Sequence, residues 1–225
     1  MFLAHATMKT LDKFLRQDQY KSVLELGSGR ASTPRICQHL EGREGAYFLS
    51  LEDSQVWYNK VTPLIEKYDF VDYELSPLCT RKRGVWYSHK FTRKFDLIFI
   101  DGPGKMRSKP KGIQRRIKQV QKSSRCPIRP RVKAGSQSLG LMDYVLPACK
   151  NGTVIVVDCR IASGLHYLQC YRKFFKFGWR GKKVPQQRLS GIVKKGRKFQ
   201  PLLTYPIREV TIIHVRKLHK LGVDS

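Results

Sequence analysis

At 225 residues the chain has room for one well-buried α/β domain and not for two ordinary ones with linkers. Its formal charge of +27 is too large to be a by-product of solubility and implies a field that attracts polyanions, either nucleic acid or an anionic membrane surface. No apolar run approaches the roughly eighteen residues of a membrane helix, and the first ten residues lack a secretory signal's apolar stretch, so the expectation is a soluble intracellular protein, cytoplasmic or nuclear.

In chain order, residues 7–16 place Met8, Leu11, Phe14 and Leu15 at helical intervals and predict an amphipathic helix covering one sheet edge. Four short apolar runs follow, at 22–26, 46–51, 70–75 and 95–100, each ending in a polar or glycine-rich turn as buried parallel strands do. Segments of helical length separate the first three. Pro34 stands near the start of one, and Val56, Val61, Leu64 and Ile65 give the next its apolar face. The β-α-β-α-β order predicts an α/β fold, a doubly wound, mostly parallel sheet of about seven strands flanked by helices. A helix at 139–149, a strand at 153–157, a helix whose face includes Leu165, Leu168, Tyr171 and Phe175, and a strand at 209–215 complete the pattern. Residues 104–138 interrupt it with a basic, flexible insertion that carries at most a short helix at 113–121, and residues 178–206 form a second irregular basic segment. The whole, residues 1–225, reads as a single domain.

The charge is concentrated: residues 105–133 hold twelve Lys and Arg and no acid, and residues 160–208 hold thirteen and none. The remainder is nearly neutral, so the core and the charge have different jobs. The cysteines at 37, 79, 126, 149, 159 and 170 form no C-x-x-C pair and lack histidines at zinc-site spacing, which predicts reduced, mostly buried thiols.

Residues 23–29, Val-Leu-Glu-Leu-Gly-Ser-Gly, run a hydrophobic strand into two glycines, which permit a tight turn and close approach of a ligand to the backbone. A dinucleotide site wants a third glycine at position 32, where Ser32 stands, and Glu25 would repel a pyrophosphate. A cationic ligand fits better, and an ordinary tight βα turn is the alternative. Glu52, at the end of the second strand, follows Gly29 by 23 residues, a spacing suited to a carboxylate that accepts both hydroxyls of a ribose. Asp53 either takes that role or caps the following helix. The fourth strand ends in Asp101 and the fifth in Asp158, at the carboxyl edge where open α/β folds bind ligands. Two such acids bind a divalent cation, shift one another's pKa, or pair with Lys or Arg; Asp158 has the plainer options of capping a helix or pairing with Arg160.

Together, VLELGSG, YFLSLEDSQVWYNKV, the ELSPL after the third strand, VWY and FDLIFIDGPGK resemble the class I S-adenosylmethionine (SAM)-dependent methyltransferases, over residues 21–160 with the basic insertion interrupting. The resemblance implies the Rossmann-like methyltransferase fold. It implies that Glu25 and the loop of Gly27, Ser28 and Gly29 hold the methionine part of SAM, that Glu52 holds the ribose, and that the turn at Leu75 and Ser76 meets the adenine edge. Asp101 would then lie beside the methyl donor. Two branches of the superfamily compete for the chemistry, both moving methyl groups to oxygen. Metal-dependent O-methyltransferases of the catechol type place acids at the ends of the fourth and fifth strands, with a following Asn and a lysine after the first acid. Asp101, Asp158 and Lys105 resemble these and imply a magnesium ion on Asp101 and Asp158, but Cys159 stands in the Asn place and is a poor magnesium ligand. RNA 2′-O-methyltransferases use a Lys-Asp-Lys-Glu set. Asp101 and Glu209 resemble its acids and Lys9 or Lys13 its first lysine, while Asp158 occupies the place of the second.

The basic insertion leaves the sheet just after Asp101, which favours a nucleic-acid acceptor, RNA above all, bound by residues 105–133 and 160–208. Lys105, Arg107, Arg115 and Arg116 are the candidates for phosphate contacts. Trp86, Tyr87 and Trp179 are candidates for base stacking if exposed, or else pack in the core. The other readings are a small-molecule enzyme with a solvated basic tail or nuclear-import signal, and a nucleic-acid-binding module that keeps the fold without catalysis. The intact glycine loop argues against the last. Nothing in the sequence sets the oligomeric state.

Overall fold

The computed structural model describes residues 4–81, 84–103, 144–158, 175–180 and 210–215. Unbroken runs of Val, Leu, Ile and Phe need cover on both faces, and the strands they form lie at the centre of a layered sheet. In chain order the strands are β1 (Ser22–Leu26), β2 (Tyr47–Glu52), β3 (Val71–Leu75), β4 (Leu78–Arg81), β5 (Gly84–Tyr87), β6 (Phe95–Ile100), β7 (Cys149–Val157), β8 (Phe175–Arg180) and β9 (Val210–Val215). Seven of them form one sheet in the order β3-β2-β1-β6-β7-β9-β8, and β4 and β5 form a separate antiparallel hairpin. β1, β2, β3, β6 and β7 pair in parallel; β9 is antiparallel to both its neighbours, so β8 runs with the parallel set. In this topology Gly27, Asp53, Ser76, Asp101 and Asp158 all emerge at one edge.

The helices α1 (Ala4–Leu15), α2 (Ser32–Leu40) and α3 (Gln55–Ile65) cover one face, where Leu11, Leu15, Ile36, Leu40, Val61 and Ile65 pack on Val23, Phe48, Leu97, Phe99 and Val156. The alternate residues Leu24, Leu26, Ile98, Ile100 and Ile155 face the other way, onto Trp86 and Tyr87 of the hairpin and onto residues 144–148. Asp12 fastens α1 to α2: Arg35 donates to it through Nε and Nη2 at 2.5 and 2.6 Å, and His39 Nε2 lies at 3.2 Å. Burial alone would raise the Asp12 pKa, but these partners outweigh it and hold the carboxyl below its usual value.

Several expectations change. α1 packs beside α2 on one face of the sheet rather than along its edge, with Phe14 reaching the His214 ring on β9. Val56 and Leu64 are 62% and 38% exposed, because Val61 and Ile65 are the residues α3 turns inward. Trp86 and Tyr87 are fully buried, since the hairpin is folded onto the sheet, so neither is a base-stacking surface. Cys149 opens β7 rather than closing a helix, and a 3-10 turn, Leu146–Ala148, precedes it. Phe175 and residues 178–180 belong to β8, neither to a helix nor to an irregular segment. The expected helix at 113–121 and the helix face at Leu165, Leu168 and Tyr171 lie outside the described residues, as do most of the two basic segments.

Of the cysteines described, Cys37 and Cys149 are buried, Cys79 is half-buried, and all three are free thiols. Burial pushes the Cys37 and Cys149 thiols up to about 12, which makes them inert. Among the described residues no helix is long and apolar enough to cross a membrane.

Candidate active site

β1 and β6 lie side by side, with Leu26 opposite Ile100, and the chain enters a glycine-containing turn after each. Gly27 has φ +88°, a conformation that side chains resist, and a Cβ there would lie 2.3 Å from the Cα and N of Gly102. A Cβ on Gly102 would in turn lie 2.2 Å from the Tyr87 hydroxyl and 2.5 Å from the Gly27 Cα. The two turns therefore touch backbone to backbone, and the second is tied to the end of β1: Asp101 N and Gly102 N both donate to Leu26 O, at 2.9 and 2.5 Å. Gly29 N donates to Thr33 Oγ1 at 2.9 Å, and a Cβ on Gly29 would meet the Ser32 hydroxyl at 2.9 Å.

Beneath this loop Glu25 is fully buried on β1. Its Oε2 accepts from the hydroxyls of Thr33 at 2.6 Å and Ser50 at 2.8 Å, while Oε1 has no hydrogen-bond partner among the described residues. Burial pushes the Glu25 carboxyl up to about 7, against the pull of the Ser32, Thr33 and Ser50 hydroxyls and with the nearby charge of Asp101 adding to the rise. Sequence reasoning missed Thr33 and Ser50. A signal was present, since Ser50 interrupts an otherwise apolar strand and stands directly opposite Glu25 in the sheet register.

Glu52 closes β2 and is 5% exposed. Its Oε2 accepts from Ser28 N at 2.9 Å and Ser28 Oγ at 3.0 Å, and its Oε1 accepts from Asp53 N at 3.1 Å and Ser54 N at 2.8 Å. The Ser28 hydroxyl also lies 2.7 Å from the hydroxyl of Tyr73, whose ring stacks on Tyr58 with centroids 4.5 Å apart. Neither Tyr73 nor Tyr58, the latter inside the quoted YFLSLEDSQVWYNKV stretch, was singled out from the sequence. Asp53 is half-buried beside Glu52, and no side-chain cap of α3 comes from Ser54. Ser76 is buried; its N donates to Glu52 O at 2.8 Å and its Oγ accepts from His89 N at 3.2 Å.

Asp101 is exposed at the end of β6, and Asp158 follows β7 in the adjacent strand, with its N donating to Ile100 O at 2.9 Å. Asp158 is engaged by α1: the buried Thr7 hydroxyl donates to its Oδ1 at 2.5 Å. Among the described residues no three His, Cys, Asp or Glu side chains group as a metal site. Lys9 and Lys13 are exposed on α1, while Lys105, Arg107, Arg115, Arg116, Cys159, Arg160, Glu209 and the Trp179 side chain lie outside the described residues.

No protein-family model matches the sequence, and no curated protein is detectably similar to it. Solved structures are similar in fold. The O-methyltransferase TomG from Streptomyces achromogenes, crystallised with SAM, has a TM-score of 0.51 at 14% identity, covering 93% of this chain and 79% of its own. The METTL16 MTase domain has a TM-score of 0.51 at 9% identity, covering 94% and 82%. The N-methyltransferase NodS from Bradyrhizobium japonicum, in complex with S-adenosyl-L-homocysteine (SAH), has a TM-score of 0.50 at 8% identity, covering 96% and 88%. This likeness shows the fold: the chain has the class I, Rossmann-like methyltransferase fold.

Proposed function

We propose that the protein is a SAM-dependent methyltransferase that acts on a hydroxyl oxygen of a nucleic acid, RNA in the first place. The observation that carries the donor half is Glu25 Oε1, a buried carboxylate oxygen with no hydrogen-bond partner among the described residues, beneath a glycine loop that has no room for a Cβ. A buried acid in that state is relieved by a cationic ligand, and the ammonium of a methionine moiety is one. In this reading Glu25 faces the amino-acid end, the backbone of Gly27, Ser28 and Gly29 lines it, Glu52 and Asp53 take the ribose, and the Ser76 turn takes the adenine. Bound SAM supplies a methyl group activated by its sulfonium. The presence of SAM or SAH in TomG and NodS, proteins of the same fold, supports the assignment.

The acceptor half rests on charge. The segment that follows Asp101 carries the first basic run, so a polyanion attracted by residues 105–133 and 160–208 arrives where the sheet ends. Asp101 and Lys105, with Glu209 one residue before β9 in the sequence, are the residues we assign to hold and move the acceptor hydroxyl's proton. A magnesium ion on Asp101 and Asp158 fits the donor set poorly. Thr7 already claims Asp158 Oδ1, and the neighbouring Cys159 is a soft ligand for a hard cation. No step is therefore assigned to a metal.

Calorimetry with SAH, followed by transfer of labelled methyl from SAM to pools of RNA, DNA, protein and small molecules, tests both halves. The expected result is binding that Gly27→Arg abolishes and label in RNA. No binding by the wild type sinks the methyltransferase reading. Label confined to small molecules and lost with EDTA returns the function to the catechol type.

A further inference from the structure

Glu52 meets its expected role with its carboxylate already filled. Two oxygens offer about four in-plane acceptor positions, and the protein occupies them with the N–H groups of Ser28, Asp53 and Ser54 and the hydroxyl of Ser28. A ribose hydroxyl can donate to Glu52 only where one of these donors withdraws. The three N–H groups are fixed by the backbone of the glycine loop and of the turn into α3. The Ser28 hydroxyl alone leaves by rotation about a single bond.

The place it would go is present. The Tyr73 hydroxyl lies 2.7 Å from Ser28 Oγ, and either atom can donate. While Ser28 donates to Glu52, Tyr73 donates to Ser28. Once the Ser28 proton leaves Glu52, the same contact works in reverse, and the proton of the half-exposed Tyr73 turns toward solvent. The position of the Tyr73 hydroxyl does not depend on a ligand. Its ring is stacked on Tyr58 at 4.5 Å and 16°, and Tyr58 is anchored by its N–H to Ser54 O at 2.8 Å and by its hydroxyl to Tyr73 O at 3.4 Å.

We propose that Tyr73 is a positioning residue for ribose recognition, which takes up the Ser28 hydroxyl when a ribose hydroxyl replaces it on Glu52. This rests on the cosubstrate reading given above. Ser28 is the placeholder and Tyr73 its receiver, so the two residues have opposite effects on binding. Tyr73→Phe keeps the ring stack but leaves the displaced Ser28 proton without its receiver. Ser28→Ala leaves an acceptor position on Glu52 open in advance.

The test is calorimetric titration of the full-length protein with SAH, and with an SAH analogue lacking both ribose hydroxyls, with thermal melts to confirm folding. A net hydrogen bond corresponds to about two- to tenfold in affinity. Tyr73→Phe is expected to weaken SAH binding by about that factor, Ser28→Ala to tighten it by a similar factor, and the double variant to behave as Ser28→Ala. For the analogue, wild type and Tyr73→Phe bind alike. If Tyr73→Phe binds SAH as the wild type does, or Ser28→Ala weakens binding as much as Tyr73→Phe, the inference is overturned while the cosubstrate reading stands. If the wild type does not bind SAH, both fall.

Discussion

Replacing Glu25 by Gln measures what burying this carboxylate costs the fold. Its pKa is about 7 in the folded chain against an ordinary value of 4.5. Between those values the native state keeps the proton and the unfolded chain has lost it, so the native state binds more protons and stability falls as pH rises. The stabilisation is fully present below the unfolded value and is gone once pH passes the folded one. Integrated from about pH 5 to about pH 8, the loss is ~2.5 kcal/mol. Gln has no proton to lose, so subtracting the E25Q curve from the wild-type curve isolates this residue from the rest of the +27 background. For a chain of this size 1 kcal/mol moves Tm by about 2–4 °C, so wild-type Tm should fall relative to E25Q by about 5–10 °C across the window. The carboxamide N–H group facing the Oε1 position costs about 1–3 kcal/mol, which offsets the curves but not their slopes. Thermal or urea unfolding at a series of pH values reads the difference. A difference that stays flat from about pH 5 to about pH 8 refutes the burial argument.

Gly27→Ala should lower the unfolding free energy by about 2–5 kcal/mol and abolish SAH binding, because φ +88° and a 2.3 Å approach to Gly102 leave no room; a variant as stable as the wild type contradicts the packed turn. Thr7→Val removes the donor to Asp158 and should cost about 1–3 kcal/mol in urea unfolding without altering SAH affinity. In thermal melts millimolar magnesium should leave Tm unchanged, and a rise would restore the metal site on Asp101 and Asp158. Affinity for single-stranded RNA should fall steeply with salt, log K losing about 0.7 per decade of salt for each phosphate contacted; a flat dependence measured by anisotropy removes the basic segments from the interface.

The strands nearest the site were legible because each is a short apolar run between turn-forming residues, a local pattern that sequence displays directly. β1 and β6 lie where their runs predict, and β2 and β3 are shifted by a single residue at the ends. β8 was hidden by its composition. Phe-Lys-Phe-Gly-Trp-Arg alternates with the period of a strand, but its cations sit in a basic, glycine-rich stretch that reads as irregular. Trp86 and Tyr87 stayed open between core and surface for a different reason. Whether an aromatic pair is covered depends on where the hairpin folds back, and that contact with Tyr144 and Ile100 is distant in sequence. Within the site, the acids and glycines announced themselves by type and spacing. The hydroxyls that complete it, on Thr7, Thr33, Ser50 and Tyr73, did not, because Ser, Thr and Tyr serve so many structural roles that only their distances identify them.

The contact between Gly27 and Gly102 also constrains motion. With no side chain between them to act as a cushion, and with one carbonyl gripping the second turn, the glycine loop proposed to lie under the cosubstrate and the turn bearing Asp101 form a single machined part. A ligand that lifts the first must re-aim the second, so loading one side of the reaction edge and setting the other are a single displacement.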